Sequence, residues 1–187
     1  MTQHKESKPA KTATGDIVKL LKADHEKVKN LFDEFKSLVE KGNSKNKKEK
    51  LVKEICEELT LHALAEESIV YPATRDVIDD QILMDEAEVE HASVKELISQ
   101  LQSMEPDDDH YDAKVIVLGE YVEHHVKEEE KMILPKLAKS EVDGEELAEE
   151  VMHFKEDYKE PEQKRSTKTR QRENSSTNSK SPSSAKN

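Results

Sequence analysis

Residues 62–72 read His62-Ala63-Leu64-Ala65-Glu66-Glu67-Ser68-Ile69-Val70-Tyr71-Pro72, and residues 125–135 read His125-Val126-Lys127-Glu128-Glu129-Glu130-Lys131-Met132-Ile133-Leu134-Pro135. The two stretches share one frame: His62 matches His125, Glu66 matches Glu129, Glu67 matches Glu130, and Pro72 matches Pro135. In a helix, a histidine and a carboxylate four residues apart leave the same face, one turn from each other. The surrounding apolar residues have that period. Ile55, Leu59, His62, Glu66 and Ile69 form one stripe; Leu118, Val122, His125, Glu129 and Met132 form another. Each stripe therefore puts two consecutive polar side chains where a plain bundle would carry Leu or Ile.

The preceding helices repeat in the same way. Asp24-His25-Glu26-Lys27-Val28-Lys29-Asn30-Leu31 aligns with Glu90-His91-Ala92-Ser93-Val94-Lys95-Glu96-Leu97, in the frame acid, His, two variable residues, Val, Lys, one variable residue, Leu. His25 lies on the stripe Ile17, Leu21, Val28, Phe32, Phe35, and His91 on Met84, Ala87, Val94, Ile98, Leu101. The offset is 66 residues for this pair and 63 for His62/His125, so one duplicated helical hairpin accounts for both.

Gly42, Pro72 with the acidic run after it, and Glu105-Pro106-Asp107-Asp108-Asp109 mark the breaks. Thr14 or Asp16 is the expected first cap, Pro72 is expected to kink or end its helix, and the aspartates at 107–109 to cap the fourth. The expected fold is all-α: an up-down-up-down four-helix bundle over 15–138, an accessory helix over 143–160, and disordered tails at 1–14 and 161–187.

Each hairpin supplies one histidine from its first helix and a His/Glu pair from its second. The bundle would bring His25, His62, Glu66, His91, His125 and Glu129 together near mid-height. A buried carboxylate without a partner costs several kcal/mol, on the order of 2–7 for a polar group left unpaired. No Lys or Arg falls on these stripes. A cation is the simplest counter-charge, and four imidazoles with two carboxylates form a ligand set for two metal ions.

The pattern resembles the haemerythrin family, specifically HHE cation-binding domains, whose signature is H, HxxxE, H, HxxxE. The resemblance spans about residues 16–138 and includes the trailing Glu67-x-x-x-Tyr71-Pro72 and Glu130-x-x-x-Leu134-Pro135. It implies a non-haem di-iron centre bridged by the two glutamates; imidazole and carboxylate ligands also suit manganese or zinc, the lesser alternatives. With a bridging oxide or hydroxide, about two of the twelve positions on two octahedral irons would stay open. Oxygen-carrying haemerythrins have a fifth histidine one turn before the third-helix ligand; here that position is Ala87, which argues against reversible oxygen carriage. A ferritin-like site needs two ExxH motifs, and within the four bundle helices only Glu88/His91 has that form.

Around the ligands, Tyr121 lies one turn before His125 and is a candidate to contact the centre or supply electrons. Glu67 and Glu130 are candidates to orient ligands or to replace the missing histidine. His124/Glu128 offers a shifted register that the duplication disfavours. His4, His110 and His153 receive no role.

Composition narrows the function classes. Of 30 basic and 42 acidic residues, 20 and 39 lie within residues 15–160, a net of −19 that repels phosphate backbones and argues against nucleic-acid binding. No apolar run approaches membrane-spanning length and the N-terminus lacks a signal-type core, so a cytoplasmic, monomeric chain is expected. The single cysteine, Cys56, reads as a buried structural thiol. The expected partners are dioxygen or another small oxidant and an unidentified redox partner. The functional reading is a di-iron protein that binds or senses such oxidants, or handles iron. A peroxidase- or oxidase-like enzyme and a zinc-bound or metal-free interaction module are the alternatives.

Overall fold

The computed structural model describes residues 15–42, 45–75 and 77–159. The tails, Thr14, Asn43, Ser44 and Asp76 lie outside the described residues, as do the sequence readings that fall on them. The described chain is all-α: α1 (Gly15–Glu40), α2 (Lys45–Ala65), α3 (Gln81–Gln102), α4 (Tyr111–Glu128) and α5 (Gly144–Lys159). α2 continues through a π turn (Glu66–Val70) into a last α turn (Tyr71–Arg75), and α4 through a π turn (Glu129–Ile133) into Leu134–Leu137. α1 packs on α2, α3 on α4, α1 on α4 and α2 on α3, which closes the four-helix bundle; α5 lies against α1 and α2.

The helix ends follow local chemistry. Gly42 takes φ +59° just after α1, a conformation that costs glycine little. The Asp80 side chain accepts from the Leu83 N–H at the start of α3, and Asp143 accepts from Glu145 and Glu146 at the start of α5. Of the two candidate caps for α1, Thr14 lies outside the described residues, and Asp16 does not cap the helix but lies in its first turn, 3.1 Å from Lys19. The aspartates before α4 do not cap it either. Asp108 folds back to accept from the Glu105 N–H, and His110, at φ 72°, makes the turn into α4.

Pro72 and Pro135 do not end their helices. A proline removes one N–H and crowds the carbonyl one turn back. Both helices absorb this in the π turn just upstream, where Tyr71 N–H bonds Glu66 O and Leu134 N–H bonds Glu129 O, five residues apart. The extra residue advances the side-chain phase by roughly 100°. Ile133 rather than Met132 therefore completes the α4 stripe: Ile133 is buried and Met132 is 38% exposed.

The apolar core is in two parts. One contains Ile17, Leu21, Val70, Met84, Leu134, Leu137 and, from α5, Leu147 and Val151. The other contains Val28, Phe32, Phe35, Ile55, Leu59, Val94, Ile98 and Leu118. Fully burying each such side chain contributes about 1.5–3 kcal/mol. The buried polar ligand candidates lie between the two parts in sequence on every helix. Among the described residues no helix is long and apolar enough to cross a membrane.

Candidate metal centre

His25, His62, Glu66, His91, His125 and Glu129 are all buried, Glu66 completely. Their donor atoms fall into two groups. Nitrogens of His25 and His62 with oxygens of Glu66 and Glu129 lie within 4.8 Å of one another, and so do donors of Glu66, His91 and His125. Glu66 belongs to both: its Oε1 is 3.2 Å from His62 Nε2 and its Oε2 is 3.2 Å from His91 Nε2. Glu129 Oε2 is 3.0 Å from His25 Nε2.

A carboxylate at Nδ1 fixes each ring. Glu130 lies 2.9 Å from His25 Nδ1, Asp24 3.2 Å from His62 Nδ1, Glu67 3.1 Å from His91 Nδ1, and Glu90 2.8 Å from His125 Nδ1. These partners run cyclically around the bundle, because each histidine is held from the helix before it, with α1 held from the end of α4. With Nδ1 held by a carboxylate, every Nε2 is turned toward the interior. Cations brace three of the four carboxylates: Lys22 is 3.6 Å from Glu130, Lys95 2.6 Å from Glu67, and Lys155 of α5 contacts Asp24.

The interior atoms have the donor set of a metal site. His25 Nε2, His62 Nε2 and all four oxygens of Glu66 and Glu129 are buried without an aligned hydrogen-bond partner among the described residues, although ion-pair distances of 3.0–3.2 Å separate them. His91 Nε2 and His125 Nε2 sit 3.2 Å apart. Each buried unsatisfied group costs about 1–3 kcal/mol, so so many converging in one layer call for a cation.

The electrostatics agree. Burial alone would raise the Glu66 pKa, but His62 and His91 hold it well below the usual carboxylate range. Glu129 is pushed up by burial and by the Glu66 charge. Burial would lower His62, yet Glu66 and Asp24 push it up to about 10. Two carboxylates this close and dry do not both ionise without positive charge beside them.

Of the surrounding candidates, Glu67 and Glu130 each bond a histidine Nδ1, which is an orienting contact. Tyr121 is 49% exposed on the flank of the Leu118/Val122/His125 stripe and points to solvent, so the expectation that it contacts the centre is corrected. The tyrosine at the site is Tyr71. It is buried, its ring stacks on His91 at 5.5 Å, and its hydroxyl lies 3.5 Å from His91 Nε2. Burial, then the Glu66 and Glu129 charges, raise its pKa, so it stays protonated. Sequence reasoning passed over Asp24 and Glu90 as functional residues, although the repeated acid-His pair at 24–25 and 90–91 was the available signal. It also gave no role to Lys155.

Residues 16–137 match the family model described as Hemerythrin HHE cation binding domain. A solved structure of a hemerythrin HHE cation binding domain-containing protein from Mycobacterium kansasii superposes with a TM-score of 0.62 at 25% identity, covering 75% of this chain and 85% of that one. A curated protein named DNA nickase, from Nostoc sp. (strain PCC 7120), is 31% identical over 121 residues, which are 63% of this chain and 32% of the relative. The chain thus spans about a third of that relative's length. With a matching fold and a buried layer of histidines and glutamates, the chain belongs to the hemerythrin HHE cation-binding domain family, and it is a metal-binding protein.

Proposed function

We propose that the chain holds two iron ions bridged by Glu66 and Glu129, and that it binds or senses dioxygen or a related small oxidant there, or handles iron. The observation that carries this reading is a cavity of about 30 Å³ beside the four histidines, walled by Val28, Leu59, Val94 and Val122. Its size suits a molecule of two or three atoms, and its walls offer water few hydrogen bonds. Bound iron would supply the open coordination positions and the change of redox state. The chain's own part is to orient the rings through the Nδ1 carboxylates so that each Nε2 points at the centre, and to exclude bulk water with the valine wall. Ala87 leaves the position of a fifth histidine empty, and Glu67 and Glu130, engaged at His91 and His25, do not replace it.

The test is anaerobic loading with Fe²⁺, metal analysis, and absorption spectra before and after exposure to air. About two irons per chain and a charge-transfer band that appears in air are expected. A folded protein that takes up no iron, or an unchanged spectrum, overturns the reading.

A groove of about 480 Å³ between α1 and α4 reaches His25 and Glu130 from solvent, and it favours peroxidase- or oxidase-like turnover as the second reading. Steady-state peroxide consumption by the iron-loaded protein, compared with Glu66→Ala, decides it; equal rates rule out turnover at the bridge. The nicking activity named for the Nostoc relative is not carried over, because the acidic body repels phosphate.

A further inference from the structure

Glu90, His124 and Glu128 form a third cluster of donor atoms within 4.8 Å of one another, outside the buried layer. His124 is 63% exposed; its Nε2 is 3.4 Å from Glu90 Oε1 and 3.7 Å from Glu128 Oε1. One imidazole and two carboxylates from two helices suit a divalent iron, manganese or zinc ion. Glu90 faces both ways, because its other oxygen holds His125 Nδ1.

Three observations connect this cluster to the centre. A cavity of about 10 Å³, the room one water molecule requires, is lined by the half-buried Glu90 and Glu128 of the cluster, by the buried His125 and Glu129, and by Ala87. Glu129, 1% exposed, lines that cavity and its Oε1 has no hydrogen-bond partner among the described residues. The cluster is also not a by-product of the duplication: the positions matching His124 and Glu128 in the first hairpin are Leu61 and Ala65, both buried. On that half of the molecule, Lys155 of α5 closes over Asp24, the counterpart of Glu90. One face of the centre is thus covered by a protein cation, and the other presents ligands to solvent.

We propose that Glu90, His124 and Glu128 form an outer divalent-cation site, from which a metal ion passes through the Ala87 cavity to Glu129 and the buried ligands. The proposal rests on reading the buried layer as a metal centre. Carboxylates at the mouth raise the local cation concentration, an effect worth about 10- to 1000-fold in association rate.

The test uses the metal-free full-length protein, Co²⁺ titrations followed by visible absorption, and stopped-flow filling, for the wild type, His124→Ala and His124→Cys. The exposed side chain lets both variants fold, which thermal melts check. The wild type should bind three Co²⁺ per chain. His124→Ala should bind two and fill them at least about tenfold more slowly. His124→Cys should add a sulfur-to-cobalt charge-transfer band. Unchanged stoichiometry and rate in His124→Ala overturn the site, and loss of the third ion with unchanged filling overturns the passage. A wild type that binds one Co²⁺, lost in His124→Ala and kept in Glu66→Ala, overturns the buried centre while retaining the outer site.

Discussion

Lys155 on α5 and Asp24 on α1 form an ion pair across 131 residues of sequence, and the same Asp24 oxygen lies 3.2 Å from His62 Nδ1. A helix beyond the matched residues 16–137 thereby braces a ligand of the buried centre. Partners of this kind typically change metal affinity about 10- to 100-fold when removed. Lys155→Met should weaken metal binding by about tenfold, and Asp24→Asn by more, because it acts on the imidazole directly. Competition titration against a chromophoric chelator measures both. Wild-type affinity in Asp24→Asn would show that the carboxylate does not tune His62.

Metal binding should stabilise the fold. A ligand at about 100 times its dissociation constant adds about 2.7 kcal/mol, which for a domain of this size raises Tm by roughly 5–10 °C. Fe²⁺ added anaerobically should give that rise in the wild type and a smaller one in Glu129→Gln. With chelator present, Glu129→Gln should melt at or above the wild-type temperature, since it relieves a buried carboxylate beside Glu66. A wild-type Tm indifferent to metal would favour the metal-free interaction module instead.

The π turn at Glu129–Ile133 makes a prediction against simple helical periodicity. Ile133→Ala should cost about 2–5 kcal/mol as a core truncation, and Met132→Ala about 0.5 kcal/mol or less. Urea unfolding of the two variants distinguishes the registers. The reverse order would place Met132 on the core stripe and remove the phase shift.

Cys56 is buried, and burial, assisted by the Glu57 charge, pushes its thiol up to about 11. At pH 8 almost none is thiolate, the reactive form. An aromatic disulfide reagent should therefore leave the native protein unmodified and titrate one thiol in denaturant. Rapid native labelling would mean that α2 opens locally.

What was legible in the sequence, and what was not, divides by range. The stripes through His25, His62, His91 and His125 follow from helical geometry, in which spacings of three and four share a face, and the duplication identified Glu66 and Glu129 as their companions. Proline also signalled a disturbance at Pro72. Its form was not legible, because a π turn and a helix end answer the same missing N–H. Choosing between them depends on whether the packing continues, and here Val70, Tyr71, Ile133 and Leu134 are held in the core on the far side.

The sequence by itself determined an all-α duplicated bundle and the six inward-facing donors, since both rest on periodicity along single helices. Only the tertiary structure decided what surrounds those donors. Which carboxylate holds which Nδ1, that Tyr71 and not Tyr121 stands at His91, that Lys155 closes one face, and that Glu90 meets the His124/Glu128 pair on the other are all contacts between helices. Apart from His124 and Glu128, which share one helix, the residues in these contacts lie 20 to 131 positions apart. Such contacts depend on the relative rotation and neighbour order of packed helices, which no spacing within one helix encodes.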